Sequence, residues 1–266
     1  MRCGIGGVAV IGPGLPGWTA SEAALAGAAP WARAEVAAPP PALLPATERR
    51  RTSPAVRLAL AAAAEATAEE ADPAAIETVF ASGNGDGAVV GGILEALHDP
   101  GGPVAISPTQ FHNSVHNAAA GYWHIGVGST APSVSLGGHD GTFAAGLLAA
   151  ATAVATRRAA VLLCAYDVPL PEPLAAVRPT GAAFAAAFVL RPAPEGAGAR
   201  AVLDLRHVAE PAPAPPPPAD ALDALAEENP AARALPLLRA LAARRAAVLH
   251  LPLLEDSHLE LRVAPC

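Results

Sequence analysis

The chain has 266 residues, 52% of them apolar, which is enough to bury a large core in one domain with an appendage. Its net charge of −7 and pI near 5.6 argue against nucleic acid as the main partner, because phosphate binding needs clustered basic charge. Three cysteines, at positions 3, 164 and 266, show neither CxxC spacing nor an evident pairing; no disulfide framework is expected, and the expected compartment is reducing cytosol.

Met1-Arg2-Cys3 leads into a glycine-rich strand rather than the apolar region of a signal sequence. That strand is expected from Gly6 to Ile11 and ends at Gly12-Pro13-Gly14, because proline lacks the ladder donor. Residues 37 to 46 are proline-rich and read as a crossing loop. A helix is expected from about Thr52, opened by the basic run Arg49-Arg50-Arg51 and stopped by Asp72-Pro73. A strand from Thr78 to Ser82, a helix from Val89 to Leu97 and a Pro100-Gly101-Gly102 turn follow, so strands and helices alternate as in a layered α/β fold. Between them, Gly83-Asn-Gly-Asp-Gly87 fits either turn geometry or a backbone cradle for phosphate. It lacks the lysine of a P-loop and the GxGxxG register.

From Ala105, a Ser-Pro turn, a polar loop and a helix entry carry His112, His116 and His124. A spacing of four places two imidazoles on one helical face, yet no cysteine or clear carboxylate completes a ligand set, and no metal is expected. Next comes Ser133-Val-Ser-Leu-Gly-Gly-His139-Asp140-Gly-Thr-Phe-Ala-Ala-Gly-Leu-Leu148: a short strand, a glycine turn and an alanine-rich helix, the layout that presents one side chain above a helix N-terminus. His139 can serve there as a general base or bind a carbonyl, or simply fill space. Asp140 can orient His139, act as an acid, or cap the helix, the commonest role for an aspartate in that place. Ser133 and Ser135 point to one sheet face without a GxSxG elbow.

The helix from Gly141 to Thr156 is shorter than the roughly twenty residues a membrane span needs and reads as buried. Ala159 to Asp167 is a near-continuous apolar run, expected as a strand buried on both faces, in which Cys164 behaves as a small hydrophobe. Pro211 to Pro218 favours a semi-rigid polyproline II spacer. Beyond it, Ala219 to Arg245 reads as helical with a break at Pro230, and Ala247 to Leu251 and Leu259 to Val263 read as strands. The expected division is a domain over 1–195, a linker over 196–218 and a tail over 219–266.

The ordered set of Glu48 to Glu65, Ala81-Ser-Gly-Asn-Gly-Asp-Gly87, Pro108 to Ala119-Ala-Gly121, the turn at 133–148 and Arg178-Pro-Thr-Gly to Leu190 resembles the N-terminal half of the β-ketoacyl synthases, in the thiolase-like superfamily. The resemblance covers roughly residues 4 to 192. It implies a thiolase-like layered α/β/α half-fold with a mixed sheet, here followed by a short α+β tail. Counting back from Asp167, the family's nucleophilic cysteine falls on His139, or one residue on at Asp140, and neither can form an acyl thioester.

The nearest resemblance is to the short chain-length-factor partners of aryl polyene biosynthesis. It implies a non-catalytic subunit pairing with an active β-ketoacyl-ACP synthase as a cytoplasmic heterodimer, with acyl carrier protein and its phosphopantetheine as a second partner, and no cofactor; the basic run Arg49 to Arg51 reads first as a solvated face and second as a contact for that acidic carrier. Phe111, His112, His116, Asn117, Tyr122, Trp123, Ser133, Ser135 and Phe143 are then expected along an acyl channel or subunit interface, with Pro132 to Leu136 pairing across a two-fold axis. Two alternatives stay open: an independent acyl-thioester enzyme using His139 and Asp140, and a homodimeric acyl-binding scaffold.

Overall fold

The computed structural model describes residues 1–98, 106–193 and 199–266. The turn expected at Pro100-Gly101-Gly102 lies outside them. In chain order the elements are β1 (Arg2–Ile11), α1 (Trp18–Leu25), α2 (Ala46–Arg49), α3 (Pro54–Ala66), β2 (Glu77–Ala81), α4 (Gly87–His98), α5 (Pro108–Ser114), α6 (Ala118–Val127), β3 (Ser133–Leu136), α7 (Thr142–Arg157), β4 (Val161–Asp167) and α8 (Leu174–Val177). They continue with β5 (Phe184–Pro192), β6 (Ala201–Val208), α9 (Leu225–Glu228), α10 (Leu235–Ala242), β7 (Ala247–Leu254) and β8 (Ser257–Pro265). Among the described residues no helix is long and apolar enough to cross a membrane.

The strands form one mixed sheet in the order β3-β2-β4-β5-β1-β6-β8-β7. β3, β2 and β4 are parallel, and every later pairing is antiparallel. Side chains alternate across the strands. In β4, Val161, Leu163 and Ala165 join the cluster around α7, whereas Leu162, Cys164 and Tyr166 join the opposite cluster under α3 and α6. All seven residues of β4 are buried, as the apolar run requires.

Helix α3 starts where Ser53 accepts the Val56 amide at 3.2 Å and Pro54 occupies the first turn. It ends at Ala66 rather than at Asp72; the Asp72 side chain instead caps a separate 3-10 turn, Pro73–Ala75. The basic run does not open this helix either. Arg49 closes α2, donating to the Leu44 carbonyl, and Arg51 pairs with Glu48 on the surface.

Residues 201–208, expected inside a linker, are instead the sheet strand β6, paired with β1 and β8. Ala201, Leu203 and Leu205 are buried while Asp204 and Arg206 face out, a period of two that the flanking proline-rich composition obscured. The helical stretch expected over 219–245 breaks at Pro230 as expected, where Asn229 is extended, but its helices are shorter: α9, a 3-10 turn at Pro230–Ala234, and α10.

The tail completes the sheet. α7 packs on β2, β4 and β5 with one side and meets β7, β8 and the 230–234 turn with the other, so the last strands bend round it. Phe143, Leu147, Ala150 and Val154 of α7 therefore share one core with Leu235, Leu238, Leu251, Leu259 and Leu261.

Candidate functional site

The C-terminal ends of the parallel strands β2, β3 and β4 gather three loops, the place where open α/β sheets bind ligands. Asp167, the last residue of β4, is fully buried there. Its Oδ1 accepts the Ser82 hydroxyl at 2.7 Å and the Asn84 amide at 2.8 Å, and its Oδ2 accepts the Gly83 amide at 3.0 Å. Burial pushes the Asp167 carboxyl above its ordinary value; the three donors and nearby Arg178 pull it part of the way back. The amides that could have cradled phosphate are thus committed to a carboxylate of the chain itself. Gly85, at φ 60, completes the turn by donating to Ser82 Oγ at 2.8 Å.

Outward from Asp167 the network runs through Asn84, whose Nδ2 donates to Thr180 Oγ1 at 2.9 Å and whose Oδ1 accepts Arg178 Nε at 2.8 Å. Arg178 Nη1 lies 2.6 Å from His139 Nε2, and Nη2 donates to Asp140 Oδ1 at 3.1 Å. A guanidinium has no acceptor, so Nε2 accepts and the imidazole proton sits on Nδ1, 3.5 Å from Asp140 Oδ1. Arg233 meets the other oxygen of Asp140 at 3.4 Å.

His139 adopts φ 50, a left-handed conformation that strains a side chain larger than glycine's. Thr142 holds the turn: its hydroxyl donates to the His139 carbonyl at 2.6 Å and accepts the Gly138 amide at 3.0 Å. Asp140 does not cap α7, because two guanidiniums draw its carboxylate away from the helix; Gly141 stands at the cap, without a side-chain bond. A Cβ on Gly141 would lie 2.4 Å from the Leu253 carbonyl oxygen, so β7 seats directly on the turn. Gly141→Ala is accordingly expected to cost about 1–3 kcal/mol, the range for inserting a methyl where nothing can yield, read as a lowered urea midpoint.

The expected interface residues separate into two groups. Phe111, His112, His116 and Asn117 are exposed, Phe111 to 68%. Tyr122, Trp123 and Phe143 are not surface residues: each is at least 98% buried, because α6 and α7 turn these rings into the two cores. Tyr122 donates to Asn113 Oδ1 at 3.1 Å and carries the His112 ring edge-on at 5.4 Å, while Phe143 packs on Phe188. Ser133 accepts the Thr78 hydroxyl at 2.8 Å, and Ser135 Oγ is buried without a partner on β3, the outermost strand on that side. Val134 on β3 and Val115 and Ile125 on the neighbouring segments are 44–52% exposed.

The three histidines considered for metal disperse. His124 goes to Thr78 Oγ1 at 3.0 Å, and burial lowers its pKa; His112 goes to Tyr122; His116 lies beside Gly85 and Gly137. Among the described residues no three His, Cys, Asp or Glu side chains are arranged to hold a metal ion. Cys164 sits under α3, its thiol directed at the Ala59 carbonyl and its pKa pushed well up by burial, so it supplies no thiolate.

His139 and Asp140 are legible in the sequence, but their partners are not. Asp167 served only to set the register, and Arg178, Asn84, Thr180 and Arg233 carried no role. One signal was available: an aspartate closing an otherwise apolar strand must find donors.

A family model described as "Beta-ketoacyl synthase, N-terminal domain" matches residues 26–252, extending into the tail. Among solved structures, a ketosynthase (ApeO) in complex with its chain length factor (ApeC) from Xenorhabdus doucetiae matches with TM-score 0.72 at 21% identity, over 98% of this chain and 99% of that one. The ishigamide ketosynthase/chain length factor matches at TM-score 0.71 and 15% identity, over 100% and 99%. AntDE:AntF, a type II acyl-carrier protein in complex with its ketosynthase, matches at TM-score 0.74 and 13% identity, again over 100% and 99%. No curated protein matches the chain. At these identities the structural likeness establishes the fold, a mixed-sheet ketosynthase-like α/β architecture.

Proposed function

The chain belongs to the β-ketoacyl synthase N-terminal domain family, and from that premise we propose that it is a non-catalytic, chain-length-factor type subunit. In this reading it pairs with an active β-ketoacyl-ACP synthase in polyene or fatty-acid-like polyketide biosynthesis. The pair works in the cytoplasm on acyl groups delivered by acyl carrier protein.

One observation carries the reading: the strained residue of the strand-turn-helix is His139, not a cysteine, and its Nε2 is occupied by Arg178. Condensation needs a nucleophile that can hold the acyl chain as a thioester, and Cys164, on the strand that Asp167 closes, is sealed in the core. The outer edge of β3, which ends the sheet among the described residues and exposes Val134, supports association, since an open sheet edge beside apolar surface is a site for another chain. Phe111, His112, His116, Asn117, Ser133 and Ser135 are the residues we assign to that contact or to the acyl channel beside it. Chain length factors in complex with ketosynthases are among the structural relatives.

The test is a condensation assay with the ketosynthase encoded nearest to this chain, run with and without it. The expected result is product whose yield or length depends on this chain, no turnover by the chain alone, and activity of the His139→Ala complex within about twofold of the unaltered complex, as for loss of an exposed polar contact. Acyl-thioester turnover by the isolated chain that disappears in His139→Ala would move the chemistry to His139.

A further inference from the structure

We propose that the turn carries a masked acyl acceptor: Arg178 occupies the one lone pair through which His139 would attack an activated acyl group. The inference rests on the geometry of this chain and stands whether or not a partner is required. The His139 side chain is 74% exposed, so nothing steric keeps a small acyl donor away from the ring. What closes it is the contact of Arg178 Nη1 with Nε2 at 2.6 Å. Arginine offers five donors and no acceptor, so this contact consumes the Nε2 lone pair. Asn84 Oδ1 on Nε and Asp140 Oδ1 on Nη2 fix the guanidinium, which is only 21% exposed.

The remaining features are those of a competent imidazole. Asp140 Oδ1 lies 3.5 Å from Nδ1, where a carboxylate orients the ring and stabilises positive charge on it. The backbone at φ 50 and the two Thr142 hydrogen bonds hold the ring on the turn. With Arg178 removed, Nε2 can add to the carbonyl carbon of an activated ester. The N–C bond forms, the C–O bond breaks, and the alkoxide or phenolate leaves with the electron pair. The Nδ1 proton passes to Asp140 or water, leaving an acyl-imidazole. Water then cleaves this to the carboxylic acid and restores the imidazole.

Diethyl pyrocarbonate acylates free imidazole lone pairs and reports on the unaltered chain directly. Followed by peptide mass spectrometry, His139 should react about fivefold slower than the exposed His207, the factor an exposed charged contact can supply. In Arg178→Ala the two rates should converge. The same variant should release p-nitrophenolate from p-nitrophenyl acetate faster than the unaltered chain, and Arg178→Ala/His139→Ala should return to background. Labelling of His139 as fast as His207 in the unaltered chain overturns the proposal, even if the Arg178 variant does not fold. So does a folded Arg178→Ala whose labelling and esterase rates are unchanged.

Discussion

A chain ending at residue 218 is expected to lose cooperative folding and to collect in the insoluble fraction. The tail is half of the enclosure around α7. Leu235, Leu237, Leu238, Leu251, Leu259 and Leu261 are all at least 95% buried and share the core with Phe143, Leu147 and Val154. At about 1.5–3 kcal/mol for each buried leucine, these six account for roughly 9–18 kcal/mol of apolar burial, an upper estimate because the unfolded chain already buries some of it. The whole stability of a domain is about 5–15 kcal/mol, so the loss is decisive. Leu261→Ala, a single-residue form of the same experiment, should cost about 2–5 kcal/mol by urea unfolding. A soluble 1–218 fragment with native near-ultraviolet circular dichroism and a sharp transition would show that the tail is dispensable.

The second large effect is expected at Asp167. Asp167→Ala removes the acceptor of the Ser82 hydroxyl and of the Gly83 and Asn84 amides and should cost about 3–5 kcal/mol, the range for breaking a buried network. Asp167→Asn keeps an oxygen for the two donors at Oδ1 but turns an NH2 towards the Gly83 amide, so about 2 kcal/mol is expected. The pH dependence has a definite sign. Because burial raises the folded-state pKa above the ordinary 3.8, the folded state binds the proton more tightly. The stabilisation from Asp167 is full below that ordinary value and is lost as pH rises through the folded-state pKa. The gap between the unaltered chain and Asp167→Asn should therefore widen as pH is lowered from about 7 towards about 4. A gap that narrows instead would mean that the donors outweigh burial and hold the carboxylate ionised.

Most of the layered fold was legible because its signals are local. The apolar run at 159–167, the glycine turn at 137–141 and the Ser53-Pro54 helix start each report on their own few residues. What escaped depended on distant partners. β6 was lost between proline-rich neighbours, although Ala201, Leu203 and Leu205 alternate with exposed residues; its pairing with β1, some 200 residues away, is invisible to any local window. Tyr122 and Trp123 are expected along a channel or interface, and their burial in the core comes from the docking of α6 against α3, which no local window shows. At the site, His139 was found from its place on the turn. Its electrostatics were not, since Arg178 and Arg233 arrive from segments 39 and 94 positions further along the chain. For Asp140 the cap was the commonest of three open roles for the same reason: local preference favours it, and two arginines from elsewhere override it.

The most direct test of the central claim is native mass spectrometry of this chain co-expressed with the ketosynthase encoded nearest to it. A one-to-one heterodimer that survives purification is the predicted result, and a stable monomer with no affinity for the synthase would contradict the account.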